Sequence, residues 1–283
     1  MSRHVAEAFE RGFLARSLEK QVAECDRYEL APLFLELFRD RQPVLEAGCG
    51  SGQWCAWFHQ HGIRSDGIDW SGELCARAAS AIPGPSFVSC DMAATPFPDG
   101  SYGGIVALGS VEHCEVGPAR ALAEFRRLLR PGGIALVTVP YGGALRRVMR
   151  AVRSPAERAK SWRWVRLAFG KPVGGGTLRS ARTAANRAWH PRFTCDREGW
   201  SFYEYEFDKA QMRAFIARAG LEVRDEFVAF HDQGITRSFG VAAGRWNSER
   251  CDVDFTPMGR ILRTLLPPAS AGHMLCYVLR KES

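Results

Sequence analysis

No apolar run in this 283-residue chain approaches the ~20 residues that a membrane-spanning helix needs. The amino terminus lacks the tripartite pattern of a secretory leader, and Glu7 and Glu10 are out of place in a transit peptide. None of the nine cysteines forms a C-x-x-C pair, which offers neither a zinc site nor a disulfide framework. No metal-binding spacing stands out, and no internal repeat is evident. Low complexity is confined to Gly174-Gly175-Gly176. The expectation from these absences is a protein of the reducing cytoplasm, with thiols such as Cys55, Cys75 and Cys90 packed as small hydrophobes.

What is present centres on Val44-Leu45-Glu46-Ala47-Gly48-Cys49-Gly50-Ser51-Gly52. It reads as a buried strand ending in an acid, then a glycine turn, then a helix to about His61. Glycine at 48, 50 and 52 lets backbone approach a ligand with no Cβ between them. The helix start aims free N–H groups at whatever lies over the turn. A second strand closes at Ile68-Asp69 about twenty residues on, where an acid can accept both hydroxyls of a ribose, as in dinucleotide-binding units. The G-x-G-x-x-G of those units is absent, because the third glycine comes one residue early.

Four segments, in order and spacing, carry a resemblance: LEAGCGSG at 45–52, GIDWS at 67–71, CDMAATPFPDGSYGGIVALGSVEH at 90–113 and LRPGGIALVTVP at 129–140. Together they resemble the class I S-adenosylmethionine-dependent methyltransferases, closely over 43–140 and loosely over 203–228. The fold implied is α/β: a Rossmann-like, seven-stranded, mostly parallel sheet sandwiched by helices. Strands are expected at 43–47, 64–69, 86–89, 103–109, 133–139, 221–229 and 273–281, with the last one antiparallel and Arg280 and Lys281 on an edge hairpin. Helices are expected near 4–24, 28–38, 51–61, 72–80, 118–130 and 208–219. Residues 1–42 would cover the cofactor cleft, with Arg16, Arg27 and Tyr28 as candidates for meeting cofactor or substrate. The core would run through 43–140 and 200–283, interrupted by a smaller insertion at 230–271.

The resemblance assigns S-adenosylmethionine as cofactor and gives roles residue by residue. The turn of Gly48, Cys49, Gly50 and Gly52 would face the cofactor, and Glu46 would hold its methionine end. Asp69 would take the ribose hydroxyls and Trp70 would lie against the adenine. Asp91 and the backbone of Met92 would read the adenine edge, while the Gly109 carbonyl would meet the methionine amino group. His113 is the candidate base, since an imidazole of near-neutral pKa suits a hydroxyl or amine acceptor. Glu112 is expected as a hydrogen-bond partner at the rim. No metal is assigned. No Asn/Asp-Pro-Pro-aromatic run occupies 107–110, which argues against transfer to adenine or glutamine amino groups, and no Pro-Cys nucleophile for cytosine-carbon chemistry is present.

Charge singles out one region. Between 141 and 199, fourteen Lys/Arg stand against three acids, a local +11, whereas the rest of the chain carries −4 of the total +7. The segment reads as an arginine-rich helical cap, with Leu145, Val148, Met149 and Val152 on one stripe and Arg146, Arg147, Arg150 and Arg153 off it. Such a cap could hold an anionic substrate or rest on anionic lipid. The expected acceptor is a small or lipid-like molecule, anionic ones included. An RNA methyltransferase and a non-catalytic adaptor are the alternatives, although no nucleic-acid-binding motif is recognisable.

Overall fold

A computed structural model describes residues 3–143, 145–149, 190–195, 200–247 and 250–282. Most of the basic segment, including Arg150, Val152 and Arg153, therefore lies outside the described residues.

The amino-terminal part forms α1 (Arg3–Leu14), α2 (Leu18–Cys25) and α3 (Ala31–Phe38). The single helix expected over 4–24 is broken after Leu14, because the Ser17 hydroxyl accepts from the Lys20 N–H and starts a new helix. There follow β1 (Val44–Ala47), α4 (Gln53–Gln60), β2 (Ser65–Asp69), α5 (Gly72–Ala81), β3 (Phe87–Ser89), β4 (Tyr102–Leu108), α6 (Ala119–Leu128) and β5 (Leu129–Pro140). Each strand ends on the same side of the sheet, and the alternation of strand and helix forces parallel pairing.

Seven strands form one sheet in the order β3-β2-β1-β4-β5-β11-β8, with β8 spanning Glu222–Ala229 and β11 Met274–Arg280. β11 runs antiparallel to both of its neighbours, as expected. Its position corrects the sequence expectation: it is enclosed between β5 and β8, so Arg280 pairs with Ile134 and Glu222 instead of lying on an edge. A continuously apolar β11 (Leu275 to Leu279, all buried) is what two covered faces require.

Side chains alternate between two cores. Leu45, Ile105, Ala135 and Tyr277 face α6 and the helix Lys209–Arg218, together with Phe125, Leu128 and Met212. Val44, Val106, Leu136 and Val278 face α3 and α4, where Phe34, Phe38, Trp54, Trp57 and Phe58 form an edge-to-face aromatic cluster. Tyr28 packs in that cluster against Trp54 and Phe230, so it stays in the core and away from the cleft.

Two additions depart from the bare sheet. An antiparallel hairpin, β6 (His190–Cys195) and β7 (Trp200–Glu206), stands where the sequence reading had the end of a helical insertion. Phe202 and Tyr205 of β7 enter the main core. Residues 230–271 form a small lobe of helix His231–Phe239, hairpin β9 (Gly244–Asn247) and β10 (Asp252–Phe255), helix Pro257–Leu265 and the short helix Pro268–Ala271. Among the described residues no helix is long and apolar enough to cross a membrane.

Candidate active site

A cavity of about 710 Å³ opens at the carboxyl ends of β1, β2, β3 and β4, on either side of the point where strand order reverses. Gly48, Asp69, Trp70, Asp91, Met92, Gly109 and His113 all line it, which brings together seven of the residues picked from sequence. Glu46, Cys49, Gly50, Gly52 and Glu112 do not line it, and each lies one layer behind.

Gly48 holds φ +85 at the end of β1, and a Cβ there would sit 2.7 Å from Ser110 Cβ. The gap between the β1 and β4 exits is thus kept open by the bare backbone. Ser110 reinforces it by donating to the Ala47 carbonyl at 2.9 Å. Gly50 is covered by the Phe13 ring, which a Cβ would meet at 2.9 Å, and Gly52 faces Phe87 and Ile82. Cys49 is fully buried.

Asp69 ends β2 with one carboxylate oxygen accepting from the Gly50 N–H and the other from the Ser71 N–H, both at 2.9 Å. Burial pushes its pKa up, and these backbone bonds pull against that. A carboxylate has about four acceptor positions, so two remain for a diol. Asp91 accepts from the Ala93 N–H at 2.9 Å and holds its loop against the cavity. Trp70 is 43% exposed at the wall. The acids Asp69, Asp91 and Glu115 against Arg120 give this lining an acidic bias, which suits a cationic ligand.

Glu46 points the other way. Its carboxylate accepts from the Cys55 N–H at 3.2 Å and the Cys55 thiol at 3.3 Å, both on α4. Burial pushes its pKa up to about 8, so it is largely a neutral acid at pH 7. Glu112 is also buried: Gly109 backs onto it, Oε2 has no hydrogen-bond partner among the described residues, and burial with Glu204 nearby raises its pKa well above the usual range. It therefore sits behind the rim.

His113 closes a short 3₁₀ turn, Val111–His113, beyond β4. Its Nδ1 lies 2.6 Å from the Tyr203 carbonyl, which can only accept, so Nδ1 carries the proton and Nε2 keeps its lone pair. Burial lowers the imidazole pKa, and the Tyr203 bond partly offsets this. Phe9 meets the ring edge-on at 4.9 Å and stacks on Tyr203 at 5.6 Å. The fold also brings one donor atom each from Glu112, His113 and Glu204 within 4.8 Å of one another, a clustering that sequence spacing did not reveal.

One wall of the cavity is formed by α1. Ala6, Phe9 and Phe13 line it, the Ser71 hydroxyl donates to Glu10 at 2.6 Å, and Arg77 donates to the Leu14 carbonyl at 3.0 Å. Arg16 is tied to Glu24 and does not line the cavity. Arg146, read from sequence as off the apolar stripe, is mostly buried, bonded to Glu206 at 2.8 Å and to His273 at 2.9 Å. Phe9, Phe13, Ser110 and Tyr203 were given no binding or catalytic role from sequence. For Tyr203 the relevant group is a main-chain carbonyl, which side-chain identity does not announce.

Residues 45–137 match the methyltransferase domain family. That stretch is a methyltransferase domain of the class I S-adenosylmethionine-dependent kind. Outside that domain the likeness thins. The chain is 29% identical over 166 residues to malonyl-[acyl-carrier protein] O-methyltransferase of Pseudescherichia vulneris, covering 58% of this chain and 64% of that one. It is 36% identical over 100 residues to phthiotriol/phenolphthiotriol dimycocerosates methyltransferase 1 of Mycobacterium ulcerans, covering 34% and 36%. The chain thus spans between about a third and two thirds of the relatives it matches. A solved S-adenosylmethionine-dependent methyltransferase from Methanosarcina mazei shares the fold with a TM-score of 0.54 at 15% identity, over 90% of this chain and 98% of that one. In the methyltransferase core, the open Gly48 turn and the unfilled acceptor positions of Asp69 fit the family's cofactor.

Proposed function

We propose that this chain transfers the methyl group of S-adenosylmethionine to a small-molecule or lipid-like acceptor, with His113 as general base. The observation that carries this reading is the His113–Tyr203 hydrogen bond, which leaves a neutral Nε2 at the wall of the same cavity that Asp69 and Asp91 line. Bound S-adenosylmethionine supplies a methyl group already activated on a sulfonium. What is left to the protein is to position the acceptor and remove its proton.

In this reading Asp69 holds the ribose, and Asp91, Met92 and Trp70 hold the adenine. Gly48 and Gly109 line the methionine end with backbone. Glu46 braces the turn from behind by capping α4 at Cys55. His113 takes the acceptor proton at Nε2, and the lowered imidazole pKa keeps that site ready at neutral pH. A hydroxyl or amine acceptor needs such a base, whereas a carboxylate does not. The names of the two relatives, a malonyl-[acyl-carrier protein] O-methyltransferase and a dimycocerosates methyltransferase, favour an acceptor with a lipid or acyl part.

Titration calorimetry with S-adenosylmethionine tests the cofactor half. Asp69→Ala is expected to weaken binding by roughly 1–3 kcal/mol, the scale of hydrogen bonds lost to a charged acceptor. A folded variant that binds like the wild type rules out the ribose assignment.

A further inference from the structure

The lobe of residues 230–271 has no part in the cavity, yet it presents an unusual surface. Its helix Pro257–Leu265 is seated tightly on one side. A Cβ on Gly259 would lie 1.8 Å from the Ala243 carbonyl, and Leu262 and Leu266 pack with Ile235, Ala243 and Ala271. This seating fixes the opposite side outward. Met258, Ile261 and Leu265 are 45%, 58% and 71% exposed, and at 100° per residue they fall within an arc of about 60°. Val241 (70%) and Trp246 (49%) are exposed on the same lobe.

The helix itself carries charge of one sign. From Thr256 to Gly272 the sequence holds Arg260 and Arg263 and no acid. Arg263 is matched by Asp232 at 2.8 Å, whereas among the described residues Arg260 donates to the neutral Phe255 carbonyl at 3.3 Å. On the neighbouring hairpin Asp252 and Asp254 are both engaged by Arg250. The basic segment also enters here: Leu145 packs into the lobe's core, and Val148, a turn later, is 59% exposed. That segment carries the +11 found between 141 and 199.

We propose that the helix Pro257–Leu265 is an interfacial anchor that lays Met258, Ile261 and Leu265 into the surface of an anionic phospholipid bilayer. Three apolar side chains on a narrow stripe, with the helix's two arginines on another face, match a helix lying in the plane of the interface. The charge that would meet lipid phosphate is that of the +11 segment, which joins the lobe at Leu145 and Val148. A second copy of the chain fits less well. Isologous pairing of this face would bring together the strongly basic segments of two copies, each of which joins the lobe at Leu145 and Val148.

The test uses the full chain and flotation with two vesicle types, phosphatidylcholine alone and phosphatidylcholine mixed with phosphatidylglycerol. The expected result is binding to the mixed vesicles only, reduced about tenfold or more by the triple variant Met258→Ser, Ile261→Ser, Leu265→Ser. These side chains are exposed, so the thermal midpoint of the variant should stay that of the wild type; circular dichroism checks this. Arg260→Gln should weaken binding less, and its effect should shrink as salt rises. Equal flotation of wild type and triple variant would overturn the proposal, since the basic segment alone would then account for binding. So would a wild-type chain that ignores both vesicle types. A dimer in sedimentation velocity that the triple variant dissolves, without vesicle binding, would assign the face to self-association and end the lipid reading.

Discussion

Gly48, Asp69 and Asp91 reach the cavity from strand ends that follow one another along the chain, whereas Phe9 and His113 reach it from α1 and the β4 exit, both held by Tyr203 of β7. The first group is held by short-range backbone geometry: a positive-φ turn, and two N–H groups on one carboxylate. The second group exists only when three distant segments are packed together. One end of the cavity is therefore built to a local rule and the other by tertiary contact. The proposed roles divide in the same way, cofactor at the first end and acceptor chemistry at the second.

The largest expected effect falls on the second end. His113→Ala should lower turnover by about 10²–10⁴ and leave S-adenosylmethionine affinity unchanged, measured by single-turnover kinetics beside calorimetry. A loss below tenfold would mean that the acceptor is already ionised or that His113 is only structural. The pH profile sharpens this. Burial holds the imidazole pKa below its ordinary value, so the acid limb of kcat/KM should lie below pH 6.5, with a plateau through neutrality.

A second prediction concerns the first end alone. Glu46 has its pKa raised to about 8 in the folded chain, so between about pH 4.5 and pH 8 the folded state binds a proton that the unfolded state has released. Its contribution to stability is complete below that window and is lost as pH rises through it, at up to about 1.4 kcal/mol per pH unit. Glu46→Gln should flatten this part of the curve in urea titrations at about pH 5 and about pH 8. An unchanged slope would show that the carboxyl titrates normally.

The smallest effect should come from Phe9, which touches the second end without touching the proton. Phe9→Ala removes a stack on Tyr203 and an edge contact on His113, interactions of roughly 0.5–1.5 kcal/mol. It should raise the acceptor KM several-fold while cofactor affinity holds. If cofactor affinity falls instead, the two ends are not separable and the comparison fails.

The same division explains what could be read in advance. Strand and helix positions through the core were legible because alternating apolar runs and glycine turns are local signals, and Asp69 and Asp91 follow from them. The enclosed position of β11 was not, because strand order is set by packing that leaves no mark on the residues of β11 beyond burial. Glu46 and Glu112 show the other limit. Sequence places an acid at a strand end but does not say which way it turns, and here both turn inward. Arg146 fell to the same ambiguity, as an arginine beside an apolar stripe that the fold pairs with Glu206.

The enclosed β11 also bears on how the molecule is made. Residues 274–280 leave the ribosome after the other six strands of this sheet, yet their place is between two strands synthesised before them. Until they arrive, β5 and β8 each present an open edge, and the nascent chain carries a slot that another extended segment could fill. The four strands that carry the cofactor end can assemble while translation continues. The whole sheet closes only once its seventh strand is free, so a chain stalled before residue 274 should be a client for chaperones.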